Sequence, residues 1–312
     1  MERIGILRHK VFALSVLSLI LIVLAYNALF SFSYSVGPNY RNVSVDTRVN
    51  ITQSLPEVLN VMIDNPITLN AGGTRTVSCN ASIRDWNGGN TISNVTAVLW
   101  NNVSVTQASP DDNNNHYTNL SCQNTSINGY YANFTCNFSV YYYADAGSGW
   151  ICNVTATDSY LFNVSVGSSS SNSNLTTINQ LLALNVTSLV DYGNMAVGDT
   201  SGPEEANVTN FGNQNINVSV LGYGNTSGDG LAFVCQIGNI TVANEKFSLN
   251  QTDTYANYVA LSTAYQMIGG LTLPQQTNDS QQVINSTYWR LYVPPNPFGQ
   301  CNGTIVFQAQ SS

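Results

Sequence analysis

The run Asp111-Asp-Asn-Asn-Asn-His116 is the one place where residue types crowd together in a way that suggests metal chemistry. Hard oxygen ligands suit Ca²⁺, which takes about six to eight of them. Asp111, Asp112, Asn113 and Asn115 are the candidate ligands, and calcium is the one cofactor the sequence suggests. The run lacks the spacing of an EF-hand and has no carboxylate at its far end. Asp and Asn also tolerate unusual backbone angles, so the same residues read as a solvated turn between strands. His116 then opens the next strand rather than acting as a ligand.

Catalytic groups are scarce. Beyond the N-terminal segment His116 is the only histidine. A serine triad needs Ser, His and a carboxylate together, and no Gly-x-Ser-x-Gly elbow occurs. Paired carboxylates of the glycosidase type have no recognisable setting among the acids that follow Glu2. No enzyme is expected, and a secreted carbohydrate-active enzyme is the weakest of three functional readings. Tyr141-Tyr-Tyr143 offers aromatic rings for a sugar platform. On a strand, however, Tyr142 faces opposite to its neighbours.

The six cysteines are Cys79, Cys122, Cys136, Cys152, Cys235 and Cys301. An even count without any Cys-x-x-Cys spacing points to disulfides in an exported chain rather than to zinc. The connectivity of the first four is open, whereas Cys235 and Cys301 stand alone in the second half and most simply pair with each other. Twenty-one Asn-x-Ser/Thr sites follow the N-terminal segment, none with proline at the centre. Alternation in an Asn/Thr-rich strand creates such sites without selection, but it also turns their Asn side chains to solvent. Asn80, Asn94, Asn119, Asn133, Asn137, Asn153, Asn207, Asn217, Asn239 and Asn302 are the glycosylation candidates.

These groups must be carried by strands. Charged residues make up 8% of the chain and the net charge is −8, against about 25% charged residues in an ordinary soluble domain. No basic stripe exists to neutralise phosphates, which excludes a nucleic-acid partner. Residues 1–10 are basic and precede an apolar run. About twenty helical residues span the roughly 30 Å hydrocarbon core of a bilayer. Residues 11–33 therefore read as a transmembrane anchor or signal segment, with the membrane contacted through 11–30. The charges place the N-terminus in the cytoplasm and the remainder outside. Cleavage of the segment would make the chain secreted.

Beyond it the hydrophobic period changes to two. Asn42–Thr52 alternates cleanly, and similar runs recur at Val58–Ile63, Thr74–Ile83, Ile92–Trp100, Tyr131–Tyr141 and Trp150–Thr157. Gly167–Asn174 reads as a long loop before a closing strand in Leu175–Leu184. Further strands are expected at Leu182–Leu189, Glu205–Phe211, Asn215–Tyr223, Leu231–Val242, Tyr288–Val293 and Thr304–Gln308. The fold class is all-β: two antiparallel β-sandwich domains, 34–180 and 181–312, in tandem after an N-terminal hydrophobic helix.

Thr76-Val-Ser-Cys-Asn-Ala-Ser-Ile83 and Trp150-Ile-Cys152-Asn-Val-Thr-Ala-Thr-Asp158 resemble the second and sixth strands of an immunoglobulin-like domain. That resemblance implies a Cys79–Cys152 bridge with Trp100 packed on it, and a Cys122–Cys136 pair. Trp150 stands where that family places a tyrosine. Val190-Asp-Tyr-Gly-Asn-Met-Ala-Val-Gly-Asp-Thr200, with Ala206-Asn-Val-Thr-Asn-Phe-Gly-Asn213, is similar to the opening of hydin-type immunoglobulin-like domains. The whole chain looks like surface proteins of small-genome archaea. These resemblances imply location and fold, not activity.

The leading expectation is an exported, membrane-anchored, N-glycosylated surface protein with a structural or adhesive role. Its partners would be further copies, another surface protein or a glycan. The alternative is a filament subunit that donates residues 42–52 to the sheet of the next subunit.

Overall fold

Strict alternation fixes the first set of strands. In the computed structural model, which describes residues 14–22, 44–51, 54–158, 173–280 and 282–312, the backbone groups by contact into Met1–Thr52 and Gln53–Ser312. In the first group residues 14–22 are helical and exposed. No helix among the described residues is long and apolar enough to cross a membrane, and the rest of the expected 11–33 segment lies outside them. Residues 44–51 form no strand, and Val45, Val49 and Ile51 are 80%, 77% and 88% exposed. This corrects the expected strand at Asn42–Thr52. The apolar pattern is present, but a strand also needs a neighbour for its N–H and C=O groups.

The first sandwich uses β1 (Glu57–Ile63), β2 (Thr74–Arg84), β3 (Ile92–Asn101), β4 (His116–Asn119), β5 (Gln123–Asn128), β6 (Tyr131–Tyr141), β7 (Gly147–Asp158) and β8 (Ser173–Ile178). One sheet has the order β1-β2-β6-β5 and the other β4-β3-β7-β8. All these pairings are antiparallel. On β6, Ala132, Phe134, Cys136, Phe138 and Val140 are buried while most residues between them face out, the alternation expected of a sheet with one wet face. Cys79 and Cys152 bond the two sheets across the core, and Cys122 bonds Cys136. Trp150 is fully buried in this core, and its Nε1 donates to the Asp145 carbonyl at 2.9 Å. Leu99, not Trp100, lies in the core cluster opposite Cys152. Adjacent strand residues face opposite ways, so Trp100 cannot share the core face with Leu99. That corrects its expected packing on the bridge.

The second sandwich contains β9 (Leu184–Val186), β10 (Glu204–Asn210), β11 (Ile216–Tyr223), β12 (Leu231–Ile237), β13 (Asn239–Thr241), β14 (Glu245–Ser248), β15 (Val259–Ala260), β16 (Gln266–Leu273), β17 (Ile284–Leu291), β18 (Phe298–Asn302) and β19 (Thr304–Ser311). Sheets β15-β14-β17-β10-β9 and β16-β11-β19 contribute the core of Val208, Ile216, Val218, Val220, Phe247, Ile268, Leu273 and Trp289. A third sheet, β13-β12-β18, carries the Cys235–Cys301 bond. The expected strand Leu231–Val242 is a hairpin instead. Gly238 takes φ 71°, and its carbonyl accepts the Cys235 N–H at 3.2 Å. Only a glycine adopts that backbone cheaply, so the chain reverses there.

Candidate functional site: a polar seam and two exposed ends

The Asp111–His116 run is a turn capped by its own carboxylates. Asp112 Oδ1 accepts the backbone N–H groups of Asn114, Asn115 and His116 at 2.9, 2.6 and 2.9 Å. Asp111 Oδ1 accepts from His116 Nδ1 at 2.7 Å and Thr118 Oγ1 at 2.8 Å, and its Oδ2 takes the Thr118 N–H at 3.1 Å. His116 begins β4, and its Nε2 faces the Gln107 carbonyl at 3.0 Å. Asn115 Oδ1 accepts from Asn101 Nδ2 at 3.2 Å. A calcium ion would have to compete with these donors for the same oxygens. Among the described residues no three His, Cys, Asp or Glu side chains are grouped to hold a metal ion.

The fourth candidate ligand reaches elsewhere. Asn113, at φ 60°, donates its Nδ2 to Asp279 Oδ2 at 2.7 Å, and this contact belongs to a seam between the two sandwiches. The strand β6 ends at Tyr141, and the turn after it presents Tyr142 and Tyr143. Tyr142 donates to Gln276 Oε1 and Tyr143 to Asp279 Oδ1. Gln275 Nε2 donates to the Tyr143 carbonyl at 2.7 Å and to Asp145 Oδ1 at 2.8 Å. From the loop after β10, the fully buried Asn213 donates to the carbonyls of Ala144 at 3.1 Å and Asn179 at 3.0 Å, and accepts the Leu181 N–H at 2.7 Å. The Phe211 ring packs on Tyr142 with centroids 5.6 Å apart. A Cβ on Gly72 would lie 2.4 Å from the same ring.

Burial, then the neighbouring Asp279 carboxylate, pushes the Tyr143 phenol well above the usual tyrosine range. It therefore stays a hydrogen-bond donor at any physiological pH. Tyr142 and Tyr143 are 5% and 1% exposed, so their rings, read first as sheet residues, are closed off by the second sandwich and offer no sugar platform. A seam of directional bonds between buried groups fixes an angle as well as a contact, because each broken bond leaves a desolvated partner. Little in the amino-acid sequence announces it. Asn213 and Gln276 look like loop residues, yet both are buried.

Strand direction places the two free ends. The strand β2 starts next to Gly72 at the seam and finishes at Arg84, so the loop 85–91 lies at the opposite end of the first sandwich. There Trp86, Tyr130 and Tyr131 are 58%, 51% and 45% exposed. At the far end of the second sandwich the sheet β13-β12-β18 exposes Ile237 and Phe298, which face each other in register. Cys235 and Cys301, also opposite each other, hold that sheet together.

Among the glycosylation candidates, Asn80, Asn94, Asn133, Asn137, Asn207, Asn239 and Asn302 are exposed, while Asn119 and Asn217 are half-buried. Asn119 Nδ2 already donates to the Asn137 carbonyl at 2.8 Å. Asn153 is 6% exposed and leaves no room for a glycan, which corrects its place in that set. Its position on β7, between β3 and β8, covers it on both sides.

No protein family matches this chain, and no curated protein matches it in sequence. Solved structures align with it over most of its length at low similarity. A chain of the CsuC–CsuE chaperone–tip adhesion subunit complex of Acinetobacter baumannii Csu pili has 10% identity, covering 80% of this chain and 100% of that one, at a TM-score of 0.38. A chain of the chaperone–tip adhesin complex of CFA/I fimbriae has 9% identity over 83% and 84% of the two chains, at a TM-score of 0.29. The partial N-terminal region of the enterococcal surface protein has 9% identity over 86% and 95%, at 0.23. The sandwich architecture rests on the sheets and cores described above, and no function is carried across from these three proteins.

Proposed function

We propose that this chain is an exported cell-surface protein with a structural or adhesive role, held at the membrane through residues 11–30 and bearing N-glycans on its exposed sequons. The observation that carries the reading is the way the two sandwiches are joined. Two sandwiches, with all six cysteines in disulfides, are joined by a buried polar seam rather than a free linker. Disulfides persist in oxidising compartments. A body of fixed angle with an exposed patch at each end suits contact between surfaces, not turnover of a substrate. Calcium, if bound at Asp111–Asn115, would stiffen the same seam.

The test is the intact mass of the native chain from its own cells, with and without reduction, together with protease shaving of whole cells. A retained N-terminal segment, added hexose mass, two hydrogens gained per disulfide and loss on shaving support the proposal. A protein recovered intact inside shaved cells with free thiols rejects it.

A second reading has one observation in its favour. Residues 44–51 carry a strand pattern without a strand, and among the described residues β19 pairs only with β11, so that no described strand is hydrogen-bonded to its outer edge. Such an edge is a template for an added strand. Recovery of the chain in polymers that dissociate when residues 42–52 are deleted would move strand donation to first place. Residues 42, 43 and 52 lie outside the described set.

A further inference from the structure

Trp86 is the odd one out among the four tryptophans. Trp150 and Trp289 are fully buried and Trp100 is 8% exposed, whereas Trp86 is 58% exposed. It has no core to fill, yet the loop that carries it is held firmly. Asp85 is fully buried. Its Oδ1 accepts the Asn87 N–H at 2.8 Å and the Ser54 hydroxyl at 3.1 Å, and its Oδ2 accepts the Thr91 hydroxyl at 2.9 Å. The Asp85 N–H donates to the Tyr130 carbonyl at 2.8 Å, and Gly89 N–H to the Gly129 carbonyl at 2.9 Å. Gly88 takes φ 127°, and a Cβ on Gly89 would lie 2.7 Å from the Tyr131 carbonyl oxygen. Two glycines thus let the loop lie flat on the β5–β6 turn. The backbone is fixed from both sides while more than half of the Trp86 side chain stays open to solvent.

The rings make a corner. Trp86 and Tyr130 have centroids 5.6 Å apart and planes tilted by 53°. The Arg84 guanidinium sits 4.6 Å from the Trp86 centroid, and its Nη2 is 2.5 Å from Glu57 Oε2. The positive charge is therefore matched locally by Glu57.

We propose that this corner is a saccharide-binding site, in which the Trp86 and Tyr130 rings take the C–H face of one pyranose of a neutral glycan. The Arg84–Glu57 pair beside the Trp86 ring and the Asn87 Nδ2, whose Oδ1 is taken up by the Ser54 N–H and hydroxyl, supply donors and acceptors for its hydroxyls. Three features select this occupant. Two rings match one sugar ring, but fall far short of the roughly 800 Å² that each partner gives to a stable protein interface. The Arg84–Glu57 pair removes the charge that would attract phosphate or an anionic headgroup. Fixed aromatic rings with a few convergent polar groups are the usual furniture of a small-ligand site. The assignment rests on this end of the sandwich and not on membrane anchoring, so its failure would leave the surface reading standing.

The experiment is a fluorescence titration of the full chain with neutral oligosaccharides (chito-, manno- and cello-oligomers), a sialylated one, and anionic lipid vesicles. Three of the four tryptophans are buried, so acrylamide quenching reports Trp86. A neutral oligosaccharide is expected to give a saturable spectral change and to protect Trp86 from acrylamide. Trp86→Ala or Tyr130→Ala should weaken its binding, followed by calorimetry, by about tenfold or more. Trp86→Phe, which keeps a ring, should retain part of it. Both exposed rings lie outside the core, so circular dichroism should be unchanged. The proposal is overturned if no neutral oligosaccharide binds, if binding survives in Trp86→Ala and Tyr130→Ala unchanged, or if vesicles or the sialylated sugar alone protect Trp86.

Discussion

Glu245 should make this protein more stable in mild acid than at neutral pH. Its carboxyl is 2% exposed. Burial raises it from 4.5 to about 7, against the smaller opposite effect of the Tyr192 hydroxyl, which donates to its Oε1 at 2.9 Å. A carboxyl raised on folding binds its proton more tightly in the native state. The resulting stability is fully present below the unfolded value and is lost as pH rises through the folded one. The gap between 4.5 and about 7, at about 1.4 kcal/mol per unit, amounts to roughly 3 kcal/mol. That is a sizeable share of a total of about 5–15 kcal/mol. Asp229 works in the opposite sense only in stronger acid, since backbone N–H groups, led by Asn225 and Leu231, hold it well below the usual carboxylate range. The assay is urea unfolding between pH 4.5 and pH 8, followed by tryptophan fluorescence. The wild-type midpoint should fall by about 1 M across that range if the slope is about 3 kcal/mol/M. Glu245→Gln should keep the acid-side stability and flatten the profile. Tyr192→Phe should move the fall to higher pH, because the donated bond that favours the carboxylate is gone. Parallel profiles for wild type and Glu245→Gln would refute the reasoning.

Replacing Cys235 and Cys301 with serine opens a loop of 66 residues and should cost about 4 kcal/mol by chain entropy, measured by chemical denaturation. Asn213→Ala strands buried partners on Ala144, Asn179 and Leu181; a loss of roughly 1–3 kcal/mol per orphaned group is expected. It should also give a broader interdomain distribution in small-angle scattering, which a purely local defect would not produce. In a glycosylating host, peptide mapping should find sugar on exposed sites such as Asn80, Asn133 and Asn207 and none on Asn153, whose burial forbids it.

The sequence by itself determined most of the strands. Val77, Cys79, Ala81 and Ile83 read as one face of β2 because side chains alternate on any strand, and a buried face must be apolar wherever its partner lies. The same local rule located β6, β7, β10, β11 and β19. It overlooked β4, β5, β14 to β16 and β18, which are too short, too polar or too broken by glycine to show a period. It failed at residues 44–51, where the pattern was right and no described strand pairs with it.

What only the tertiary structure decided is which polar residues matter. Asn213 and Gln276 are indistinguishable in sequence from the many solvated amides of an Asn/Gln-rich chain, and their burial comes from the approach of two sandwiches far apart in sequence. The tyrosines after β6 were legible as aromatic but not as enclosed, because enclosure depends on residues more than a hundred positions away. Trp86 shows the reverse: hydrophobicity argues for the inside, and the hydrogen bonds of Asp85 hold it out. Alternation is a property of the strand and is written locally. A seam or a surface corner is a property of distant segments that meet, and no single segment records the meeting.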